Sequence, residues 1–216
     1  MKGVLITFEG SEGSGKSTQI VLIQKYLEKN KKKVLFVREP GGVKISEKIR
    51  RILLDVENKK MGDSCETLLY MAARAQLVEE IILPALKKGM IVLSDRFLDS
   101  TLAYQGYGNG VDIQLIKNIG KIATQGITPD LTFIFDLDVK EGFARLNRAK
   151  DRIEQRTMAY HNRVRQGYLA IASQEPKRVK VIKVNRTKEE IHEDVCQWVE
   201  KVLKMEFVWG DYGNTN

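Results

Sequence analysis

The feature that most constrains the fold is a glycine-rich segment near the start of the 216-residue chain. It reads Gly10-Ser11-Glu12-Gly13-Ser14-Gly15-Lys16-Ser17 and matches the P-loop pattern GxxxxGK[ST]. A short apolar run precedes it and a helical pattern follows it, which is the context that such a loop requires. Glycines let successive backbone N–H groups turn inward, where they converge with the helix N-terminus and the lysine ammonium on phosphate oxygens. The sequence therefore predicts an ATP site at Gly10, Ser11, Glu12, Gly13, Ser14, Gly15, Lys16, Ser17 and Thr18.

A metal site is predicted beside this loop. The apolar run Met90–Leu93 ends in Ser94-Asp95-Arg96. An acidic residue at the end of such a strand is the usual second ligand for Mg²⁺, and the P-loop hydroxyl is the first. We therefore expect Ser17 and Asp95 to hold Mg²⁺ together with ATP. A turn or helix-capping role is the alternative for Asp95.

The alternation of short and long patterns predicts the fold class. Helical patterns separate five runs that are nearly continuous in apolar residues, as in strands covered on both faces. The predicted strands are Val4–Phe8, Val34–Val37, Met90–Leu93, Leu131–Leu137 and Val179–Val184. The clearest predicted helices are Ser17–Lys29, Cys65–Lys87 with Ser64 as N-cap, Ile113–Thr124, and Thr187–Lys204 with a Thr187/Glu190 capping box. This order favours an α/β protein with a parallel sheet flanked by helices.

Composition narrows the choice of partners. The chain has 43% hydrophobic and 30% charged residues, and no apolar run approaches the roughly 18–20 residues of a membrane span. We expect a cytoplasmic protein without a membrane partner. The net charge of +8 suits a polyanion, but no basic array interleaved with aromatic residues predicts a nucleic-acid partner. The two cysteines are far apart in the sequence, which favours buried, reduced thiols.

Further motifs follow the P-loop in a fixed order. They are Arg38-Glu39-Pro40-Gly41-Gly42, Leu69 to Gln76, Asp95-Arg96-Phe97 with Ser100 to Gly106, Pro129-Asp130-Leu131 and Asp151-Arg152-Ile153-Glu154. Together with Phe8-Glu9-Gly10, this series resembles the thymidylate kinase family, of the bacterial type whose lid carries catalytic arginines. The resemblance covers about residues 3–205. It implies transfer of the γ-phosphoryl group of ATP to dTMP, giving dTDP.

The resemblance also implies an architecture. It is the P-loop nucleoside monophosphate kinase fold, with five parallel strands in the order 2-3-1-4-5. Residues 1–207 would form one domain with a lid near 140–157, and the chain would form a homodimer. Residues 208–216 contain two glycines and two asparagines without periodicity, which predicts a flexible tail.

Roles in binding dTMP follow from the same resemblance. Arg96 and Arg50 match the clamps on the dTMP phosphate, and Tyr70 takes the place of an aromatic ring that stacks on thymine. Arg74, one helical turn later, would donate to thymine O4. The remaining substrate residues are Glu39, Ser100, Tyr104, Thr101 and Gln105, with Pro40 as a wall for the 5-methyl group. The alternatives are a surface cation for Arg50, helix core for Tyr70, and helix surface or capping groups for Thr101 and Gln105.

The acidic P-loop residue and the lid carry the remaining roles. Glu12 would face the deoxyribose 3′-hydroxyl or brace a phosphate-binding arginine. Ser14 replaces an arginine of the other family branch, so the lid must supply positive charge. Arg148 and Arg152 are favoured, with Arg145 next and Arg156 as a further candidate. The predicted catalytic set is Lys16, Arg148, Arg152, Arg96 and Glu12, and the ATP site also includes Arg145 and Asn185, the latter in a loop beside adenine. Only Ala149-Lys150 separates Arg148 from Asp151, about two residues fewer than in related lids, so the choice among lid arginines stays open.

Two rival functions stay open at this stage. One is a kinase for another nucleoside monophosphate or for a deoxynucleoside. A nucleoside acceptor needs a general base for its hydroxyl, whereas Arg50 and Arg96 favour an acceptor that already carries a phosphate. The other rival is a regulatory ATP-binding module without turnover, but the residues expected to transfer phosphate are all present.

Overall fold

The computed structural model describes residues 3–204 and contains a parallel sheet at its centre. Its five strands are β1 Val4–Gly10, β2 Val34–Arg38, β3 Ile91–Asp95, β4 Leu131–Asp136 and β5 Val179–Lys183. Among the described residues they run in the order β2-β3-β1-β4-β5, which confirms the predicted topology. In the register, Phe8 faces Asp95 and Gly10 faces Phe135, so the P-loop and Asp95 leave the same edge of the sheet.

Helices cover both faces of this sheet. They are α1 Lys16–Lys29, α2 Lys44–Leu54, α3 Asp63–Leu77, α4 Leu83–Lys87, α5 Leu98–Thr101, α6 Ile113–Ala123, α7 Val139–Ala144, α8 Met158–Gln174 and α9 Lys188–Leu203. A π-helical turn, Val78–Ile82, joins α3 to α4, and a second π-helical segment, Leu102–Gly108, continues α5.

The apolar strand runs form the core that holds this arrangement together. Leu5, Ile6 and Phe8 are fully buried, and residues from α1 and α9 pack on one face of the sheet. The other face is covered by two further apolar clusters, one of which joins the π-helical segment to α6 and α8. The predicted capping box is confirmed, because Thr187 and Glu190 satisfy each other's backbone N–H groups at the start of α9.

Some local predictions were wrong. The long helix begins at Asp63 with Gly62 as its N-cap, so Ser64 lies inside the first turn and caps nothing. Cys65 is exposed, as are Asp63 and Ser64 beside it at the start of α3; Cys196 is buried as predicted, and neither thiol forms a disulfide. The long predicted helix also widens into a π-helical turn near its end. The backbone N–H of Leu83 donates to the carbonyl of Val78, five residues back. The next residue, Pro84, has no backbone N–H to continue the helical hydrogen bonds.

The predicted lid begins with α7 and continues as an irregular segment to Thr157, the N-cap of α8. The predicted tail, residues 208–216, lies outside the described residues. No helix between residues 3 and 204 is both long and apolar enough to cross a membrane.

Candidate active site

A cavity of about 440 Å³ opens at the carboxyl edge of the sheet. Its volume is within the usual range of small-molecule sites. Most of the residues predicted from the sequence line it: Glu12, Gly13, Ser14, Gly15, Lys16, Ser17, Thr18, Glu39, Pro40, Arg50, Tyr70, Arg74, Asp95, Arg96, Ser100, Thr101, Tyr104, Gln105, Arg145 and Arg148. Gly10, Ser11, Arg152 and Asn185 were also predicted but do not line it.

The P-loop needs its glycines where it meets α7. Gly13 has a φ of +70°, and a Cβ there would lie 2.2 Å from the carbonyl oxygen of Gly142. A Cβ on Gly142 would in turn lie 2.4 Å from the carbonyl oxygen of Glu12. The first helix of the predicted lid therefore lies directly against the P-loop backbone.

Lys16 lies inside the loop. Its Nζ donates to the carbonyl oxygens of Gly10 and Ser11, at 3.0 and 2.9 Å. Burial lowers its pKa, and the nearby charge of Arg96 acts in the same direction. An ammonium held mainly by backbone carbonyls is ready to bind phosphate oxygens, which offer it full negative charge.

Arg96 lies between the P-loop and the rest of the cavity. It has a left-handed φ of +71°, forms an ion pair with Glu12, and donates to Gly10, Ser100 and Tyr168 at 3.2 Å. Burial alone would raise the pKa of Glu12, but the positive charges of Arg96, Lys16 and Arg148 lower it to about 2. Of the two roles considered for Glu12, the brace on Arg96 is the contact that the structure contains.

Glu9 supports Arg96 indirectly, through Ser100 and Tyr168, which bond to both residues. Its carboxylate accepts from the backbone N–H of Phe97 at 2.7 Å, from Ser100 Oγ at 2.5 Å and from the Tyr168 hydroxyl at 3.0 Å. Burial raises the pKa of Glu9 to about 7, and the negative charge of Asp99 adds to the increase. Sequence reasoning gave neither Glu9 nor Tyr168 a role. A glutamate inside an otherwise apolar strand was the available signal.

A buried ion pair forms the opposite end of the cavity. Arg74 Nε donates to Glu39 Oε2 at 2.7 Å, and their side chains are only 2% and 4% exposed. Two further bonds run from Arg74 to Thr101 Oγ1 at 3.0 Å and to the Phe97 carbonyl at 2.8 Å. Tyr70, one helical turn before Arg74, lines the same end of the cavity.

Arg50 is half-buried at the rim and faces the loop after β2. Its Nη1 donates to the carbonyl of Pro40 at 2.8 Å. Burial lowers the pKa of Arg50, and the neighbouring charge of Arg38 contributes in the same direction. Its position on the cavity favours the predicted anion-binding role over a purely solvated surface cation.

The lid arginines separate into two groups. Arg145 donates to the Gly13 carbonyl at 3.3 Å, and the exposed Arg148 makes a two-pronged bond to Glu154 at 2.8 and 2.5 Å. Both line the cavity. Arg152 instead is buried and donates to Glu66 at 2.6 Å and to the Leu53 carbonyl at 2.7 Å. It thus faces α3 rather than the P-loop.

Several cavity residues had no predicted role. They are Arg38, Leu54, Leu146, Asp151, Ile153, Glu154 and His161. Four of them, Arg38, Asp151, Ile153 and Glu154, lie inside the motifs described above, but the sequence gave no reason to assign them a role. Of the others, Leu54 ends α2 and His161 lies in the first turn of α8, whereas Leu146 lies in the irregular part of the lid.

The metal prediction can be tested on the donor atoms. Asp95 Oδ1 is buried and has no hydrogen-bond partner among the described residues. Ser17, in the first turn of α1, lines the same cavity. Mg²⁺ prefers oxygen ligands and keeps several waters or phosphate oxygens, so a carboxylate and a hydroxyl are sufficient. These two residues fit the ion.

Comparison with known proteins identifies the family of this chain. A model of the thymidylate kinase family matches residues 8–195. The chain belongs to the thymidylate kinase family. It is therefore an enzyme that phosphorylates dTMP to dTDP with ATP as donor.

Individual relatives agree with this assignment. The thymidylate kinase of Pelotomaculum thermopropionicum is 47% identical over 206 residues, which cover 94% of this chain and 95% of the relative. That of Kosmotoga olearia is 48% identical over 196 residues, covering 90% and 94%. Among solved structures, thymidylate kinase from Ehrlichia chaffeensis superposes with a TM-score of 0.75 at 34% identity, covering 92% of this chain and 99% of that one.

Proposed function

We propose that the cavity holds the two phosphates head to head, with ATP on the P-loop and dTMP between Arg96 and Arg74. The supporting observation is that one cavity contains both a P-loop with its lysine and a buried, polar pocket for a base. The acceptor oxygen of dTMP is already anionic, so no general base is needed. Catalysis then consists of alignment and of stabilising the transferring charge.

At the phosphate end, Lys16 and the inward N–H groups of the P-loop bind the ATP phosphates. Arg96 binds the phosphate of dTMP, and Glu12 holds its guanidinium in place. Arg50 approaches the same phosphate from the rim. Guanidinium groups suit phosphate binding because one guanidinium can donate two parallel hydrogen bonds to two oxygens of the same phosphate.

In the lid, we propose that Arg148 and Arg145 reach the transferring phosphate. Both already line the cavity, and the Arg148 side chain is half exposed, so a phosphate could replace Glu154 as its partner. Arg152 would serve as the lid's anchor. Asn185 is exposed in the loop after β5, where it would contact adenine mainly through its backbone.

Ser17 and Asp95 would hold Mg²⁺. When bound, the ion neutralises and orients phosphate oxygens of ATP. Its requirement is tested by chelation with EDTA, which should abolish turnover, and by restoration of turnover with excess Mg²⁺.

At the base end, we propose that Tyr70 stacks on thymine and that Arg74 donates to O4. Cytosine has an amino group at that position, so two donors would face each other. Pro40 would limit the space around the 5-methyl group, and Thr101, Ser100 and Tyr104 would complete the pocket around the nucleoside.

The decisive experiment is a coupled assay of ADP release with dTMP, dCMP, dGMP, AMP and thymidine as acceptors. We expect dTMP to be used at least about 100-fold more efficiently than the others, because the base and the phosphate are both recognised. Equal rates with another monophosphate would overturn the substrate assignment. Phosphorylation of thymidine would indicate a nucleoside kinase.

We also propose a cytoplasmic homodimer. Exposed large apolar side chains on three neighbouring helices support the dimer: Ile45, Ile52, Leu68, Leu115 and Ile122 of α2, α3 and α6. Sedimentation should give twice the chain mass, and Leu68→Glu should reduce it. Val21→Glu, on the exposed side of α1, is the matched control. A monomeric wild-type chain would exclude the dimer, and fractionation of cells would test the compartment.

A further inference from the structure

One buried carboxylate joins the base end of the cavity to the lid. Glu66, on α3, is fully buried and lies one helical turn before Tyr70. Its Oε1 accepts from Gln105 Nε2 at 2.9 Å and from Asn109 Nδ2 at 3.1 Å. Its Oε2 accepts from Arg152 at 2.6 Å and from Arg156 at 2.8 Å. Both oxygens therefore have donors from other segments.

The bond to Gln105 determines which end of that amide is free. A carboxylate can only accept, so the Gln105 NH₂ group must point toward Glu66. The amide carbonyl then points away, and no donor among the described residues bonds to it. Because Gln105 lines the cavity, this carbonyl is available to a ligand there as an acceptor.

Arg74 provides the complementary donor. Three of its nitrogens donate to Glu39, Thr101, Met71 and Phe97, which leaves one guanidinium N–H without a partner in the described part of the chain. A donor beside an acceptor matches O4 and N3–H of thymine. Cytosine presents the reverse pair, so both contacts would be repulsive.

We infer that Glu66 is a positioning residue for base selection, because it holds the Gln105 amide with its carbonyl toward the base. The inference rests on the proposed function and extends it to a residue that does not line the cavity. Glu66 also anchors the lid, because Arg152 and Arg156 bond to its second oxygen. The same carboxylate thus serves the base pocket and the anchored end of the lid.

Glu66→Gln tests the inference, because a neutral amide can donate as well as accept and permits Gln105 to flip. We expect the ratio of kcat/KM for dTMP over dCMP to fall about tenfold. The KM for dTMP should rise about tenfold while the KM for ATP stays within about twofold. Glu200→Gln, a buried carboxylate bonded to Tyr26 between α1 and α9, is the matched control and should leave the ratio unchanged.

A double-mutant cycle separates positioning from a general structural effect. If Glu66 acts through Gln105, then Glu66→Gln should not change the dTMP/dCMP ratio further in a Gln105→Met background. A further drop of the same size as in the wild type, or an unchanged ratio in the single variant, would overturn the inference. Wild-type activity on dTMP in the same assay tests the proposed function separately.

A measurement on the wild type covers the case in which Glu66→Gln does not fold. The Gln105 side-chain amide, assigned in NMR spectra by its loss in Gln105→Met, should exchange its hydrogens slowly in the ligand-free protein. Exchange as fast as that of an exposed amide would show that Glu66 does not hold it, and would overturn the inference.

Discussion

The two ends of the cavity hold their charged groups in different ways. At the phosphate end, Lys16 rests on backbone carbonyls and Arg148 on a partly exposed ion pair, and phosphate oxygens can replace both kinds of partner. At the base end, Arg74 and Glu39 are paired and buried, and Glu66 has donors on both oxygens. This difference in how the charged groups are held matches what each end of the cavity is proposed to bind. A phosphate changes its charge distribution during transfer, whereas a base presents a fixed hydrogen-bonding pattern that only a rigid pocket can read.

The largest expected effect tests the phosphate end. Lys16→Ala removes an ammonium that stabilises charge on the transferring group, and we expect kcat to fall at least about 1,000-fold. The coupled assay of ADP release measures it. Lys25→Ala, on the exposed side of the same helix, should keep wild-type turnover. Near-normal turnover of Lys16→Ala would mean that the P-loop is not the phosphate site.

The next effect tests the base end. Arg74→Ala leaves Glu39 buried without its cation, and we expect binding of dTMP to weaken about 100-fold and stability to fall by about 3 kcal/mol. Binding of ATP should change less than about threefold, as measured by isothermal titration. Arg51→Ala, exposed on α2, is the control. Equal weakening of both nucleotides would contradict the separation of the two ends.

A third prediction concerns Glu9, the buried carboxylate that holds Ser100 and Tyr168 beside Arg96. The pKa of Glu9 is raised from 4.5 to about 7, so the folded state holds this proton more tightly than the unfolded state. The stabilisation is complete below pH 4.5 and is lost as the pH rises to about 7. Urea unfolding of the wild type and Glu9→Gln from pH 4.5 to 8 should therefore show a difference that changes by about 3 kcal/mol in favour of the variant. Parallel pH profiles would contradict the assignment.

A smaller effect distinguishes the lid arginines. Arg148→Ala should lower kcat about tenfold and should lower thermal stability less than Arg152→Ala does, because the Arg148 guanidinium is half exposed although its partner Glu154 is buried. Arg152→Ala should mainly lower stability, because it leaves Glu66 short of a buried cation. Thermal unfolding and the coupled assay together measure both. The reverse pattern would place Arg152, and not Arg148, at the phosphate.

The smallest effect is expected at Asn185. Its side chain is exposed after β5 and does not line the cavity, so Asn185→Ala should change the KM for ATP by less than about twofold. Steady-state kinetics at saturating dTMP measures it. A tenfold increase would mean that the side chain, and not the backbone, contacts adenine.

The site residues that could be predicted are positioned by their own loop or helix, whereas those that could not be predicted are positioned by contacts with distant segments. Gly10 to Thr18 could be predicted because the loop's geometry depends on its own glycines and on the elements beside it. Tyr70 and Arg74 were predicted to share a face because one helical turn separates them. The direction of Arg152 could not be predicted, since the lid around it is irregular and no period orients its side chains. Glu66 gave no signal, because a glutamate in the first turn of a helix is ordinarily exposed.

By itself, the sequence determined the order of strands and helices, the P-loop and the identity of the residues at the carboxyl edge of the sheet. Short-range rules of backbone geometry and periodicity are sufficient for the strands, the helices and the P-loop, whereas the residues at the carboxyl edge followed from the resemblance of the ordered motifs to the family. Only the tertiary structure decided which lid arginines line the cavity and which bond to Glu66, and which way the Gln105 amide faces. Those choices depend on contacts between residues that are tens of positions apart, where burial makes an unpaired charge costly and so selects the partner.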